Sequence, residues 1–160
     1  MTSPKAVVDV DLQNDDEIES LPSINQFRHW VESSLLGSFA GLEQTIRVVT
    51  EAESQALNWQ FRGKDKPTNV LSFPSDDDYL EYDCLGDLVI CVPVVESEAL
   101  SQGKTCDAHW AHMVIHGMLH LQGFDHQNEQ DAQKMEAQEV KILSTLGFTS
   151  PYNDILNSPS

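Results

Sequence analysis

The apolar residues of the chain fall into short, dense segments and into longer segments with a helical repeat. Runs that are rich in β-branched residues, or that alternate between apolar and polar positions, predict β-strands. The four segments of this kind are Ala6–Leu12, Gln44–Thr50, Asn69–Phe73 and Leu85–Val92.

Five longer segments repeat their apolar residues every three or four positions, which predicts helices. Thr50 and Glu53 have the spacing of a capping box, and Gly63 is a suitable terminator for the helix that follows. Pro93 fits the first turn of another helix. The predicted helices are Ser23–Gly37 (stopped by Gly37), Glu51 to Phe61 or Arg62, Pro93–Gly103, Asp107–Gln122 (ending at Gly123) and Asn128–Gly147.

The order of these elements, βαβαββααα, predicts one α+β domain in the 160-residue chain. About four strands would form a sheet that the helices cover. The third and fourth strands are separated only by an acidic segment, Pro74–Cys84, which we expect to be a solvated loop. A hairpin there would make the sheet mixed rather than all-parallel. The core is expected to span about 7–152, and the tail, 153–160, is expected to be flexible.

The predicted helix Asp107–Gln122 combines an apolar surface with four histidines. Between Ala108 and Leu121 it has no lysine, arginine, aspartate or glutamate, which predicts a buried helix. Buried imidazoles need polar partners, and a metal ion satisfies several of them at once. At 100° per residue the four lie in one stripe about 80° wide: His109, His112, His116 and His120.

A fifth histidine follows this helix closely. Gly123 permits the chain to turn back, so that His126 can approach a metal held by the helix. His116, His120 and His126 complete the pattern H-x-x-x-H-x-x-G-x-x-H. Three neutral imidazoles with an open coordination position are typical of catalytic zinc. We therefore predict that these three histidines bind one Zn²⁺ ion.

The other polar residues near this pattern are assigned supporting roles. Metal-binding imidazoles usually donate their second ring N–H to a nearby acceptor, and such partners stabilise the site. His109 and His112 are better explained as supporting or structural groups than as ligands. Asp125 is either an acceptor for an imidazole N–H or an exposed turn residue.

The histidine spacing is also that of metzincin peptidases, in which a glutamate follows the first histidine and acts as general base. Here Gly117 occupies that position and cannot accept a proton. Three neutral ligands leave the full charge of the ion uncompensated, which favours an anionic group such as a phosphate. The pattern therefore favours phosphoryl chemistry over peptide hydrolysis.

The net charge of −17 argues against broad binding of nucleic acids, and we expect no DNA partner. Only nine residues are Lys or Arg, yet Arg62, Lys64 and Lys66 lie within five positions. Such a cluster is either a solvated loop or a phosphate contact. Arg62 is the natural candidate for a phosphate clamp, because a guanidinium can form two parallel hydrogen bonds to phosphate oxygens.

Cysteine usage and hydropathy predict a cytoplasmic protein. Cys84, Cys91 and Cys106 form no CxxC pair and are interpreted as reduced thiols. No apolar run approaches about 20 residues, so we expect no membrane span and no membrane partner. The first residues also lack the apolar core and cleavage site of a signal peptide.

Three segments, in this order, resemble the YbeY family of bacterial metal-dependent endoribonucleases. The segment "HGMLHLQGFDH" resembles the family signature H-G-x-L-H-L-x-G-[YF]-D-H. The segments "RGKDKPTNVLSFP" and "LGDLVIC" resemble two further conserved blocks. The match is colinear from about Val7 to Tyr152, which is nearly the whole chain.

This resemblance implies an α+β fold with a four-stranded sheet and a zinc ion bound by His116, His120 and His126. It also implies that Arg62 takes part in RNA cleavage, and we predict Arg62 and His116 as catalytic residues. The implied substrate is single-stranded RNA. The implied process is maturation of the 3′ end of small-subunit rRNA, together with ribosome quality control. The implied partners are rRNA and the ribosome or its assembly proteins.

Two other functions stay open at this point. One is a zincin-like metallopeptidase that has lost or moved its base, against which Gly117 counts strongly. The other is a ribosome assembly factor that is not a catalyst and uses the metal for folding. For a nuclease, water or the RNA 2′-hydroxyl could be the attacking group, and the sequence does not choose between them.

Overall fold

The computed structural model describes residues 7–37, 41–75, 84–125 and 127–150. Most of the predicted acidic loop, the predicted flexible tail and the predicted ligand His126 lie outside these ranges. The described elements follow the predicted order. They are β1 (Val7–Gln13), α1 (Ile24–Ser34), β2 (Gly41–Val49), α2 (Glu51–Arg62), β3 (Val70–Pro74), β4 (Gly86–Cys91), α3 (Val92–Ser101), α4 (Cys106–Leu121) and α5 (Glu129–Thr145).

The four strands form one mixed sheet in the order β1-β2-β4-β3. β1 runs parallel to β2, and β2 runs parallel to β4. β3 pairs with β4 in the antiparallel direction, with Val70 opposite Ile90 and Pro74 opposite Gly86. The predicted hairpin and mixed α+β sheet are therefore confirmed, and β3 is an edge strand.

The central strand β4 is buried on both faces, so it is a continuous apolar run from Leu88 to Cys91. Leu88 and Ile90 join the main core, which α1, α4 and α5 cover. Val89 and Cys91 point to the opposite face, where a smaller cluster includes Leu57 of α2. α4 contacts α1, α3, α5, β3 and β4, which explains why its sequence is apolar on nearly every side.

The first helix is shorter than its sequence predicts. α1 ends at Ser34 rather than at Gly37, and Leu35 is extended. Gln122, at the end of α4, donates from Nε2 to the Ser34 carbonyl (2.8 Å) and accepts the Leu36 N–H (2.9 Å). A tertiary contact that the local sequence does not show therefore satisfies the end of α1.

Within the described ranges, none of the helices has both the length and the apolar character needed to span a membrane.

Candidate active site

Two histidines of α4 are exposed to a cleft, while the helix around them is buried. From His109 to Leu121 every position is buried except His116 and His120, which are half-buried. Their ring centroids lie 4.7 Å apart, at an interplanar angle of 80°. The i, i+4 spacing therefore places two imidazoles side by side, as the sequence predicted.

Glu139 of α5 connects this pair to the interior. Its side chain is 1% exposed, Oε1 accepts from Nδ1 of His116 (2.5 Å), and Oε2 accepts from Nε2 of His112 (3.2 Å). Burial alone would raise the pKa of the Glu139 carboxyl, but the hydrogen bonds from His112 and His116 hold this pKa well below its ordinary value. With Nδ1 of His116 engaged by a carboxylate, Nε2 is the nitrogen with which it would bind a metal.

Sequence reasoning missed Glu139, although the sequence carries a signal for it. Met135, Ile142 and Leu143 form the buried stripe of α5, and Glu139 lies on the same stripe. A charged residue among apolar positions on one face of a helix needs a buried polar partner. Here those partners are the histidines of α4.

His109 belongs to a different contact. Its Nε2 donates to Glu98 of α3 (2.9 Å), and Glu98 also accepts from the Asn69 amide before β3 (3.1 Å). Burial lowers the pKa of His109, although the bond to Glu98 acts in the opposite direction. His109 thus links α3 to α4 through Glu98, away from the pair at the cleft.

The cleft has a volume of about 730 Å³ and brings together residues that are distant in sequence. Arg62 from the end of α2 lines it together with His116 and His120. Asp125 also lines the cleft and is exposed. The edge strand β3 contributes further residues to the lining. The remaining residues are Phe61, Thr68–Pro74, Gly123 and Phe124.

Local sequence explains the position of Arg62. The Thr50 hydroxyl accepts the Glu53 N–H at the start of α2, and Gly63 ends the helix with a φ of 70°. Arg62 is therefore the last residue of a helix whose two ends the sequence predicted. Its nearness to His116 and His120 is a property of the fold, because α2 and α4 are joined by no local motif.

The donors at the cleft fit a metal ion as far as they are described. The chain presents two adjacent imidazole rings, and a buried carboxylate orients one of them. Within the described residues, no three His, Cys, Asp or Glu side chains group into a complete metal site. The described residues include two of the three predicted ligands, since position 126 lies outside them.

Gly117 packs tightly against the sheet. A Cβ atom at this position would lie 2.7 Å from Cδ2 of Leu88 and 3.3 Å from Cγ2 of Val70. These are buried side chains of β4 and β3, so Gly117 faces the sheet and lets α4 approach it closely. A glutamate at this position would begin in the apolar core. Glycine at this position therefore has a packing role, in addition to lacking the carboxylate of the peptidase motif.

The fold and the cleft define a small α+β protein in which a buried helix presents histidines to a cleft that also contains an arginine. A sequence model described as Endoribonuclease YbeY matches residues 9–147, and the chain belongs to this family. Membership makes it an endoribonuclease, a hydrolase of RNA that is involved in rRNA processing.

The fold is also similar to a protein whose structure was solved independently. The solution structure of TM1509 from Thermotoga maritima shares 25% sequence identity with this chain. The match covers 96% of this chain and 94% of that one, with a TM-score of 0.54. The resemblance thus extends over nearly the full length of both chains.

Proposed function

We propose that this protein is a zinc-dependent endoribonuclease that cleaves single-stranded RNA. Its role would be maturation of the 3′ end of small-subunit rRNA and ribosome quality control in the cytoplasm. The observation that carries the proposal is the shared cleft, in which Arg62 lies with His116 and His120. A guanidinium that can bind phosphate and two imidazoles that can bind a metal ion, in one cavity, suit a phosphodiester substrate.

His116, His120 and His126 would hold the ion. When bound, it supplies a Lewis acid for a phosphoryl oxygen and lowers the pKa of a coordinated water. Glu139 keeps the His116 ring in one orientation and one tautomer, so this ligand does not have to reorganise. We count His116 as catalytic because its ring lines the cavity that the reacting phosphate would occupy.

Arg62 would bind the phosphate that is cleaved. Its guanidinium is always charged and can donate two parallel hydrogen bonds to phosphate oxygens. This contact orients the scissile group and offsets the negative charge that develops on it during cleavage. Lysine carries the same charge without the planar fork, so Arg62→Lys should restore only part of the activity lost in Arg62→Ala.

A protein partner fits the charge of the chain. With a net charge of −17, binding to RNA through the whole surface is disfavoured. Delivery to rRNA by the ribosome or by its assembly proteins would avoid this repulsion.

Metal content and RNA cleavage, measured on the same preparations, test the proposal. His116→Ala, His120→Ala and His126→Ala should lose both, whereas Arg62→Ala should keep the metal and lose cleavage by roughly 10²-fold or more. His29→Ala is the matched control, since His29 is exposed on α1. The proposal fails if Arg62→Ala and His116→Ala cleave single-stranded RNA as wild type does.

The products of the same assay identify the attacking group. A 2′,3′-cyclic phosphate indicates attack by the RNA 2′-hydroxyl. A 3′-hydroxyl together with a 5′-phosphate indicates attack by water. Chelation separates a catalyst from an assembly factor with a structural metal: a catalyst loses activity and keeps its fold, whereas a structural site loses its fold.

A further inference from the structure

The end of α2 exposes two aromatic side chains beside the cleft. Trp59 is 60% exposed and Phe61 is 57% exposed. Among the large apolar side chains that are exposed in the described ranges, only these two are aromatic. The other two tryptophans, Trp30 and Trp110, are buried in the core. Among the described residues, exposed aromatic surface is therefore concentrated in one turn of α2.

Arg62 lies between these aromatic residues around the helix. At 100° per residue, Trp59 is about 60° from Arg62 on one side and Phe61 about 100° on the other. Phe61 packs edge-on against Phe73 of β3, with ring centroids 5.0 Å apart, and both rings line the cleft. Trp59 is not among the residues that line the cleft, and it lies on the other side of Arg62 around the helix.

The adjoining loop adds positive charge in a fixed arrangement. Lys64 and Lys66 are exposed, and in the described part of the chain neither they nor Arg62 forms an ion pair. The loop backbone is tied to α2, because the Asn58 amide donates to the Lys66 carbonyl (2.8 Å). The Ser54 hydroxyl likewise donates to the Thr68 carbonyl (2.9 Å) and accepts the Thr68 N–H (3.0 Å).

We propose that Trp59, Phe61, Lys64 and Lys66 form a docking surface for single-stranded RNA, which leads the strand to Arg62. Unpaired bases stack on aromatic rings, and lysines beside them neutralise the phosphates. In a chain of charge −17, such a site concentrates the few available cations where the backbone of the strand passes. A duplex is disfavoured, because its bases are already stacked and paired and cannot stack on the aromatic rings. This inference rests on the proposed nuclease function and specifies how its substrate is held.

Tryptophan fluorescence gives a direct test, because Trp59 is the exposed one of the three tryptophans. The probe is a 2′-O-methylated single strand of about 12 nucleotides, added to the full-length metal-loaded protein. We expect quenching in wild type and none in Trp59→Phe, which keeps a stacking ring. Fluorescence anisotropy of a labelled copy gives the affinity. Trp59→Ala should weaken binding about tenfold.

Matched variants separate this surface from general effects. Leu100→Ala removes an exposed apolar side chain from α3 and should bind as wild type does. Plots of log K against log salt have a negative slope, and Lys64→Ala and Lys66→Ala should each reduce its magnitude by about 0.7. Lys141→Ala, on the exposed surface of α5, should leave the slope unchanged. Wild type should bind the corresponding duplex more weakly than the single strand. Trp59→Ala should bind the duplex and the single strand with equal affinity.

The outcomes distinguish this inference from the proposed function. If Trp59→Ala binds the single strand as tightly as wild type, the docking surface is refuted, even where Arg62→Ala abolishes cleavage of the unmethylated copy. If Trp59-dependent binding is found and wild type cleaves no RNA, the docking surface stands and the nuclease proposal falls.

Discussion

Oε1 of Glu139 lies 2.5 Å from Nδ1 of His116, and the other oxygen of this carboxylate lies 3.2 Å from Nε2 of His112. One buried side chain of α5 therefore holds two histidines of α4. The contact engages Nδ1 of His116, so Nε2 is the nitrogen with which this residue would bind a metal. Glu139, which is not part of the histidine motif, thus fixes the orientation of the His116 ring.

We expect Glu139→Gln to weaken metal binding by roughly ten- to a hundredfold, because an amide is a poorer acceptor for the two imidazole N–H groups. Competition with a chromogenic chelator measures the affinity of the purified protein for Zn²⁺ directly. Glu136→Gln is the control, since Glu136 is exposed on the same helix. Equal affinity in Glu139→Gln and wild type would show that this carboxylate does not support the site.

Introducing the glutamate of the peptidase motif at position 117 should destabilise the fold without creating a peptidase. Gly117→Glu places a carboxylate against Leu88 and Val70, and we expect a loss of about 3 kcal/mol or more in the free energy of unfolding. Gly117→Ala should lose less, up to about 2 kcal/mol, because overpacking is partly offset by better helix propensity. Urea unfolding measures both.

Ala137→Glu adds the same carboxylate to an exposed position of α5 and controls for charge alone. A Gly117→Glu protein as stable as wild type, with chelator-sensitive cleavage of unfolded protein substrates, would contradict the packing argument.

His109 should make the metal-free protein less stable in mild acid. Its pKa in the folded state is lowered from 6.5, mainly by burial, with Lys104 and His112 acting in the same direction and Glu98 against them. The unfolded chain therefore binds a proton first, and stability is lost as the pH falls below about 6.5. The advantage of wild type over His109→Gln in urea unfolding should shrink between pH 8 and pH 5. If the difference in the free energy of unfolding between wild type and His109→Gln stayed constant from pH 8 to pH 5, titration of His109 would not be the cause of the acid destabilisation.

The three thiols should react in the order of their exposure. Cys106 is exposed, Cys84 is half-buried and Cys91 is buried. Burial raises the pKa of the Cys91 thiol, which lowers its thiolate fraction as well as its accessibility. Timed alkylation followed by mass spectrometry should label Cys106 first and Cys91 only on unfolding. Rapid native labelling of Cys91 would mean that the α2 face of β4 opens readily.

The sequence predicted those features of the structure that depend on residues close together along the chain. The apolar surface of α4 indicated its burial, the i, i+4 spacing indicated adjacent imidazoles, and Gly63 marked the end of α2. The sheet followed from the order of the strands and from the proximity of β3 to β4. In each case the relevant residues are close in sequence, so their periodicity carries the information.

Tertiary packing determined the rest. Gly117 was interpreted from the sequence as a position without a base, and only the sheet beneath α4 shows that a side chain there would press against Leu88 and Val70. Arg62 and His116 line one cleft although α2 and α4 are distant in sequence, a relation that no spacing encodes. The contact between Glu139 and His116 spans 23 residues and depends on how α5 crosses α4.

The edge position of β3 has a consequence for how this cleft is mapped experimentally. The Cys91 N–H donates to the Asn69 carbonyl, so Val70, Ser72 and Pro74 turn their backbone groups away from β4. The Val70 N–H bonds to the Asn69 side chain and proline has no N–H, which leaves the Ser72 N–H as the outward main-chain donor of this strand. Ser72 lines the cleft. Alanine scanning cannot remove that donor, so a complete map of the cleft requires an amide-to-ester substitution at Ser72.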